Sequence, residues 1–446
     1  MRISIKSLGC PKNFLDSELL CGHLLTNKHT ITNQMPHSDI AIINTCSFIQ
    51  PAVEESIDVI LEAISLKEKG LLKYIIVAGC LPQRYQEQGI NKSFPEVDAF
   101  IGVDQIEQIN YIVTELRAKN PLFKINPAPH YLYTEHSPRM LLTPNHYGYL
   151  KISEGCNNHC SYCLIPQIKG HYRSRSIDSI LNEVQQLEKN YPLKELILIA
   201  EDTTFFGKDR EGQFLLPFLL NQLAQLPLRK IKWIRLMYTH PKHFTDRLSN
   251  TIAQNSYICP YLDIPLQHIS NPILKKMNRG INQQETFHLI NKLRKNIPHL
   301  TLRTTFIVGF PGETEKDFRE LCDFVREYRF EKVGVFTYYD EPECRAYHFS
   351  DKIPDKIKKK RRDILMQIQH KNVQEYQQSQ LGKIKQVLID SVSRENDKVL
   401  LGRSCGEAPD IDGHIEVLKG NQYDIGQFIN VRIKDAFPYH LIAEKV

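Results

Sequence analysis

The sequence contains no run of 18 or more apolar residues, although 41% of its 446 residues are hydrophobic. A membrane-spanning helix needs such a run, so we expect no membrane partner. The first ten residues, MRISIKSLGC, read as a strand and lack the apolar core and cleavage site of a signal peptide. We therefore expect a cytoplasmic protein. Because the cytoplasm is reducing, eleven cysteines indicate metal binding or catalysis rather than disulfide bonds.

Neither strong net charge nor sequence repetition is present. The chain has 57 basic and 51 acidic residues, for a net charge of +6. That balance is too even to identify a partner by charge alone. There are no internal repeats or low-complexity segments, and the length predicts two to four domains.

Three cysteines lie close together in the segment Cys156-Asn-Asn-His-Cys160-Ser-Tyr-Cys163. Three thiolates on one loop can hold three corners of a 4Fe-4S cluster and leave the fourth iron open for chemistry. Structural zinc prefers four ligands, usually as two pairs. His159 could be proposed as a fourth ligand, but the chain has no second CxxC pair and no HxxxH pair. We therefore favour an iron–sulfur loop of the radical-generating type.

Residues 1–118 alternate between predicted strands and helices, which indicates an α/β domain with a doubly wound parallel sheet. Cys10, Cys46 and Cys80 each fall just past a predicted strand. Since ligands bind at the carboxyl ends of such strands, we expect these thiols to meet at one edge and hold a second cluster. The alternative is three buried core cysteines, which would more often fall in mid-strand. The predicted strands are Arg2–Leu8, Ile40–Asn44 and Tyr74–Ala78, and the helices Asp16–Leu25, Pro51–Lys69 and Glu107–Arg117.

Three further segments follow. Residues 119–142 contain four prolines and are predicted to be a linker. Residues 143–376 carry six strand–helix units, typical of an open, partial (βα)6 barrel whose working groups follow the strands. The basic run Lys356–Arg362 is expected to be mainly a solvated helix face. Residues 377–446 read as five short strands, which indicates a small all-β barrel.

The chain resembles the radical S-adenosylmethionine methylthiotransferases over its whole length. It looks most like the branch that modifies a ribosomal protein, because tRNA-acting relatives usually read GCQMN where this chain has GCPKN. The motifs that carry the resemblance are Ser7-Leu-Gly-Cys-Pro-Lys-Asn13, Ser153-Glu-Gly-Cys156, Tyr261-Leu-Asp-Ile-Pro-Leu-Gln-His268, Gly309-Phe-Pro-Gly-Glu-Thr314 and Gly402-Arg-Ser-Cys-Gly-Glu-Ala-Pro-Asp-Ile-Asp-Gly413.

The resemblance implies an enzyme that methylthiolates an aspartate β-carbon in small ribosomal subunit protein twelve. It implies two 4Fe-4S clusters, S-adenosyl-L-methionine and an electron donor protein. The radical-generating cluster would lie on Cys156, Cys160 and Cys163, and the auxiliary cluster on Cys10, Cys46 and Cys80. The carboxyl-terminal barrel would be a TRAM-like domain.

Five residues are candidates for contacting S-adenosylmethionine: Tyr162, Glu201, Asp202, Gln267 and Gly309. Each has a structural alternative. Tyr162 could simply pack the loop, Asp202 could cap a helix, and Gln267 and its neighbour His268 could be ordinary structural residues. Two departures from the family pattern stand out. The segment Tyr338–Tyr347 differs from the usual YSxEEGTxAY, and Lys169 replaces a common Arg, which loses the bidentate fork.

The competing function is methylthiolation of a tRNA adenosine, since TRAM barrels often bind RNA through basic residues. Residues 377–446 carry nine basic and ten acidic residues. This balance suits a basic protein partner better than a polyanion, so nucleic acid is not expected as the substrate. A metal- or RNA-binding module without enzymatic activity would need only one of the two cysteine groups.

Overall fold

A computed structural model describes residues 1–116, 121–418 and 420–446 of the chain. Its first part is a six-stranded parallel sheet in the order β2-β1-β3-β4-β5-β6. The strands are β1 Arg2–Ser7, β2 Thr30–Thr32, β3 Ile40–Thr45, β4 Tyr74–Gly79, β5 Ala99–Ile101 and β6 Leu122–Lys124. The helices are α1 Pro11–Thr26, α2 Gln50–Glu68, α3 Cys80–Arg84, α4 Ile90–Ser93 and α5 Ile109–Glu115. The predicted parallel sheet is confirmed.

The sixth strand lies inside the predicted linker 119–142. The backbone N–H of Leu122 donates to Asp98, and that of Gly102 donates to Lys124, so this short segment adds an edge to the sheet. A three-residue strand flanked by prolines carries too little alternation to be read from sequence. The predicted end of the last helix at Arg117, and residues 119 and 120 of the linker, lie outside the described residues.

The second part is an open six-stranded parallel sheet in the order β14-β13-β12-β11-β10-β7. Its strands are β7 Tyr147–Lys151, β10 Glu195–Ile199, β11 Trp233–Leu236, β12 Ile258–Asp263, β13 Thr301–Val308 and β14 Lys332–Thr337, with a small antiparallel pair β8 Ser153–Glu154 and β9 Arg173–Ser174 beside it. The helices are α6 Ile165–Lys169, α7 Ile177–Asn190, α8 Lys208–Glu211, α9 Leu216–Gln225, α10 Asp246–Gln254, α11 Asn271–Lys276, α12 Gln283–Asn296 and α13 Glu315–Tyr328. All six predicted strands are present.

The two faces of this central sheet bury different partners. Leu150, Leu198 and Leu236 point outward into a core shared with the surrounding helices. Tyr149 and Ile197, on the opposite face, pack in a core with residues of α1. Alternation along the strands therefore places one apolar layer under the helices and the other under the amino-terminal sheet.

The third part is a closed antiparallel-rich barrel in the order β15-β16-β17-β19-β18, which follows the long helix α14 Asp355–Gln378. Its strands are β15 Ile384–Val392, β16 Val399–Arg403, β17 His414–Leu418, β18 Phe428–Ala436 and β19 His440–Lys445. The predicted small barrel is confirmed. Most of the basic run at the start of α14 is exposed, but Arg361 is buried and pairs with Glu313 at 3.1 Å. Among the described residues, no helix has the length and apolar character to span a bilayer.

A buried charge group joins the barrel to the amino ends of the central strands. The carboxylate of Glu195, at the start of β10, accepts from Arg235 Nε and from Arg403 Nη1, each at 2.6 Å. All three side chains are buried. Arg403 also donates to Asp390 at 2.7 Å. A buried charge is tolerated only when it is paired, so this geometry fixes where the barrel sits.

We predict that Glu195→Ala destabilises the protein by about 3–5 kcal/mol, because it leaves two buried guanidinium groups without their shared carboxylate. The thermal unfolding midpoint should fall clearly below that of the wild type. Glu395→Ala is the matched control, since Glu395 is an exposed acid on the same barrel. Equal midpoints for the two variants would contradict the role given to Glu195.

Candidate functional site

Cys10, Cys46 and Cys80 lie at the carboxyl ends of three adjacent strands, β1, β3 and β4. The edge that they share is here called the amino rim. Gly9 brings two of them together. A Cβ on Gly9 would lie 2.5 Å from Cys46 Cβ and 2.8 Å from Cys46 Sγ, and its φ of +85° favours glycine. The predicted meeting of these cysteines at one edge is what the strand order produces.

Asn13 connects the strand ends behind the amino rim. Its Nδ2 donates to the carbonyl of Thr45 at 2.8 Å, and its Oδ1 accepts from Cys80 Sγ at 3.6 Å. Asn44 Nδ2 in turn donates to the carbonyl of Asn13 at 2.8 Å. A buried, fully engaged amide holds the three cysteine-bearing turns in one register.

Cys156, Cys160 and Cys163 lie on the loop that follows β8, here called the central rim. Cys156 Sγ accepts from the backbone N–H of Asn158 at 3.4 Å, and Cys160 Sγ accepts from Arg279 Nη1 at 3.4 Å. Asn158 Nδ2 also donates to Asp202 at 2.8 Å, which ties the loop to the strand beside it. His159 is exposed on this loop. Hydrogen bonds to sulfur and a neighbouring guanidinium favour thiolate ligands.

The environment of these thiols fits a metal cluster. Burial raises the pKa of Cys156 to about 12. Burial likewise raises the pKa of Cys46, Cys80 and Cys163, and the neighbouring thiols of the same rim raise it further. Buried thiols of this kind lose their protons readily only to a bound metal, which supplies the missing positive charge.

A further group of possible metal ligands lies beside the central rim. Within the described residues, Asp202, His240 and His243 offer ligand atoms that all lie within 4.8 Å of one another.

Asp202 is committed to hydrogen bonds within the protein. Its carboxylate accepts from Asn158 Nδ2 and pairs with His243 Nδ1, both at 2.8 Å. It also accepts from Thr204 Oγ1 at 2.5 Å and caps the short helical turn Thr203–Phe205. These bonds take up the oxygens that a metal ion at Asp202, His240 and His243 would need. The helix-cap alternative considered for Asp202 is present in the structure.

A buried ion pair lies between the two rims. Lys12 Nζ, from the amino-terminal sheet, is 3.4 Å from Glu201 Oε2 and 3.7 Å from the ring centroid of Tyr238. Burial opposes the charged form of Lys12, but Glu201 and Cys10 raise its pKa above the ordinary value. Cys80 also packs in one apolar cluster with Leu164 and Ile168, which directly follow the central rim. The two rims therefore face each other.

Two buried carboxylates on α1 hold the two rims in this arrangement. Asp16 pairs with both Lys151 and Lys169, the latter at 3.1 Å. Glu18 accepts from Arg139 Nη2 at 2.6 Å. Lys169 thus serves as a point charge on Asp16, a contact that does not need the bidentate geometry of an arginine.

The remaining predicted cofactor residues lie on the central-rim loop and after strands β12 and β13. Tyr162 packs edge-on against Phe310 with ring centroids 6.4 Å apart. Gln267 has a φ of +73°, and its Oε1 is buried without a partner among the described residues. Burial lowers the pKa of His268 to about 3, so this ring is neutral. An orphaned buried acceptor such as Gln267 Oε1 fits a bound donor, as S-adenosylmethionine would provide.

Gly309 does not lie in a loop with free backbone N–H groups, as a phosphate-binding loop would have. An ideal Cβ there would lie 2.3 Å from Cγ of Lys358, so the glycine makes room for that side chain. Glu313 Oε2 accepts the backbone N–H groups of Gly309 and Phe310. The donors of this turn are therefore already used within the protein.

The segment that departs from the family pattern ties the two sheets together. Arg84 of the amino-terminal part pairs with Glu341 at 2.6 Å and with Glu343 at 2.7 Å. Glu341 also accepts from the backbone N–H of Gln50 at 2.9 Å. These side chains line a cavity of about 530 Å³ between α14 and the amino-terminal part. The departure thus has a structural role at the interface.

Sequence reasoning missed four residues around the two rims. Lys12 and its neighbour Asn13 belong to the Gly-Cys-Pro-Lys-Asn motif, which is recognisable in the sequence and could have identified them. Arg279 and Tyr238 stand in no recognised motif, and only the fold brings them to the central rim and to Lys12.

The chain matches three families in succession. Residues 2–102 match a family described as uncharacterized protein family UPF0004, residues 150–325 match the Radical SAM superfamily, and residues 381–446 match the TRAM domain.

Two curated relatives carry the name ribosomal protein uS12 methylthiotransferase RimO. The one from Desulfitobacterium hafniense (strain Y51) is 42% identical over 446 residues, covering 100% of this chain and 98% of the relative. The one from Desulforamulus reducens is 43% identical over 444 residues, covering 99% of each.

Solved structures share the fold at low identity. The radical S-adenosylmethionine methyltransferase TsrM from Kitasatospora setae, solved with cobalamin and a [4Fe-4S] cluster bound, has a TM-score of 0.55 at 14% identity. That match covers 77% of this chain and 73% of the other. The cobalamin-dependent S-adenosylmethionine radical enzyme OxsB has a TM-score of 0.51 at 14% identity. That match covers 82% of this chain and 56% of the OxsB chain.

We predict that the two rims load iron independently. Replacing Cys10, Cys46 and Cys80 together by Ala should remove about four of about eight irons, and replacing Cys156, Cys160 and Cys163 should remove the other four. Iron and labile sulfide are measured after anaerobic reconstitution. Cys405→Ala is the control, because Cys405 lies in neither rim. Undiminished iron in either triple variant would show that its rim holds no cluster.

Proposed function

This chain belongs to the family of ribosomal protein uS12 methylthiotransferases, and on that premise we propose that it methylthiolates the β-carbon of an aspartate in uS12. It is a radical S-adenosylmethionine enzyme with Radical SAM and TRAM domains. The observation that carries the proposal is the pair of three-cysteine rims that face each other, joined by the packing of Cys80 against Leu164 and by the ion pair of Lys12 with Glu201.

Two rims suit this chemistry for a physical reason. An aliphatic C–H beside a carboxylate has no useful acidity at neutral pH, so a positioned base is a poor way to break it. When bound, two 4Fe-4S clusters and S-adenosylmethionine would supply the one-electron chemistry and the sulfur that the reaction needs. We propose that Cys156, Cys160 and Cys163 hold the radical-generating cluster, and that Cys10, Cys46 and Cys80 hold the auxiliary one.

The protein's own side chains would hold and shield these groups. Arg279 donates to Cys160 and to the carbonyl of Pro265, which places a fixed positive charge beside the central rim. Tyr162, Glu201 and Gln267 remain our candidates for S-adenosylmethionine contacts. Gly309 donates its N–H to Glu313 and is no longer proposed for that role, and Asp202 is proposed to position Asn158. The side chains of Lys12 and Glu201 are 9% and 10% exposed, so little water reaches this ion pair.

The open edge of the central sheet offers a route for the substrate. β7 and β14 are its two edges and do not pair with each other, so the sheet does not close into a barrel. Phe336 on β14 is 49% exposed at this opening. We propose that an extended segment of uS12 enters there. We also propose that the protein works in the cytoplasm, with an electron donor protein as a second partner.

The alternative substrate is a tRNA adenosine, because the chain has a TRAM domain and such domains often bind RNA. The relatives that share 42–43% identity over the whole chain are named for uS12 instead. We therefore propose the protein substrate and expect no nucleic acid in that role.

We predict a gain of about 46 Da on one aspartate of uS12, the mass of SCH3 in place of H, in cells that carry this gene. The gain should vanish when the gene is deleted and should not return with a Cys156→Ala copy. Intact-protein and peptide mass spectrometry measure it. Loss of a methylthio-adenosine from tRNA, with the mass of uS12 unchanged, would instead establish the tRNA function.

A further inference from the structure

Several buried cations lie near the two rims, and two of them are already paired with carboxylates. Lys151 and Lys169 share Asp16, and Lys151 also pairs with Glu154. Buried cations held this way have no donors to spare for a ligand.

Lys12 differs from these cations. Its one ionic contact within the described residues is the 3.4 Å approach to Glu201. The ring of Tyr238 covers a second side at 3.7 Å. A lysine ammonium carries three donors, so at least one stays available to a ligand.

The position of Lys12 matches the place where a substrate must sit. It is two residues from Cys10 of the amino rim, while its partner Glu201 directly precedes Asp202, whose carboxylate accepts from Asn158 of the central-rim loop at 2.8 Å. A carbon that reacts at both rims has to lie between them. An aspartyl side chain placed there brings a carboxylate beside side chains that are 9% and 10% exposed, and such a buried charge requires a cationic partner.

We propose that Lys12 binds the carboxylate of the substrate aspartate and thereby selects aspartate over its neutral analogue. Glu201 and Tyr238 hold the ammonium in place from two sides and leave the third for the ligand. The inference rests on the proposed function, because it names the group that the site recognises in that substrate.

The test compares two substrates with four enzymes. uS12 with the native aspartate and uS12 with Asn at that position are each assayed by mass spectrometry for kcat and KM, using anaerobically reconstituted protein. The enzymes are the wild type, Lys12→Gln, Lys12→Arg and Lys28→Gln. Lys28 is exposed just beyond α1 and serves as the matched control. Iron content is measured for each enzyme to verify loading.

The wild type and Lys28→Gln should prefer the aspartate substrate by a factor on the order of 100 in kcat/KM, because a charged donor discriminates strongly between a carboxylate and an amide. Lys12→Gln should lose at least about tenfold of that preference, and Lys12→Arg should retain part of it, since the charge is kept. Fluorescence anisotropy with labelled uS12 should show weaker binding of the aspartate form to Lys12→Gln.

Three outcomes separate the questions. Wild-type enzyme that modifies the Asn substrate as well as the Asp substrate would overturn the role of Lys12, whatever the variants do. An unchanged preference in iron-loaded Lys12→Gln would overturn it as well. Wild-type enzyme that modifies neither form of uS12 would refute the proposed function itself.

Discussion

The buried carboxylate of Asp16 is the contact on which the arrangement of the two sheets depends. It lies on α1, directly after the amino rim, and is held by Lys151 at the end of β7 and by Lys169 just beyond the central rim. Desolvating three charged groups is costly, and only close mutual contact offsets that cost. The sheets therefore have one favourable relative position, the one in which the rims face each other.

The cysteine rims could be predicted because their signal is local. Each cysteine of the amino rim directly follows a strand with a readable apolar run, and parallel strands bring their carboxyl ends to one edge. Strand β6 and the group formed by Glu195, Arg235 and Arg403 could not be predicted in this way. The first is too short to show a period, and the second joins residues far apart in sequence that no pattern connects.

The charge of the barrel illustrates another limit of sequence reasoning. The count of nine basic and ten acidic residues treats all of them as free. In the structure, Asp390, Glu407 and Asp412 are engaged with groups that include His146, Lys332 and Arg303 of the central part. These acids hold the barrel in place instead of facing a partner. The surface of the barrel is therefore less acidic than its composition, and the choice between protein and RNA rests on the relatives and not on charge.

Helix α1 carries Cys10 at its start and the interface carboxylates of Asp16 and Glu18 within its next two turns. Movement of this helix would displace Cys10, a proposed cluster ligand, and at the same time break the contacts between the sheets. Anything that binds to the amino rim only in the docked arrangement must stabilise that arrangement by the same free energy. If the proposed auxiliary cluster assembles on this rim, its assembly and the closing of the two sheets are thermodynamically linked, and the protein without that cluster opens more readily along this interface.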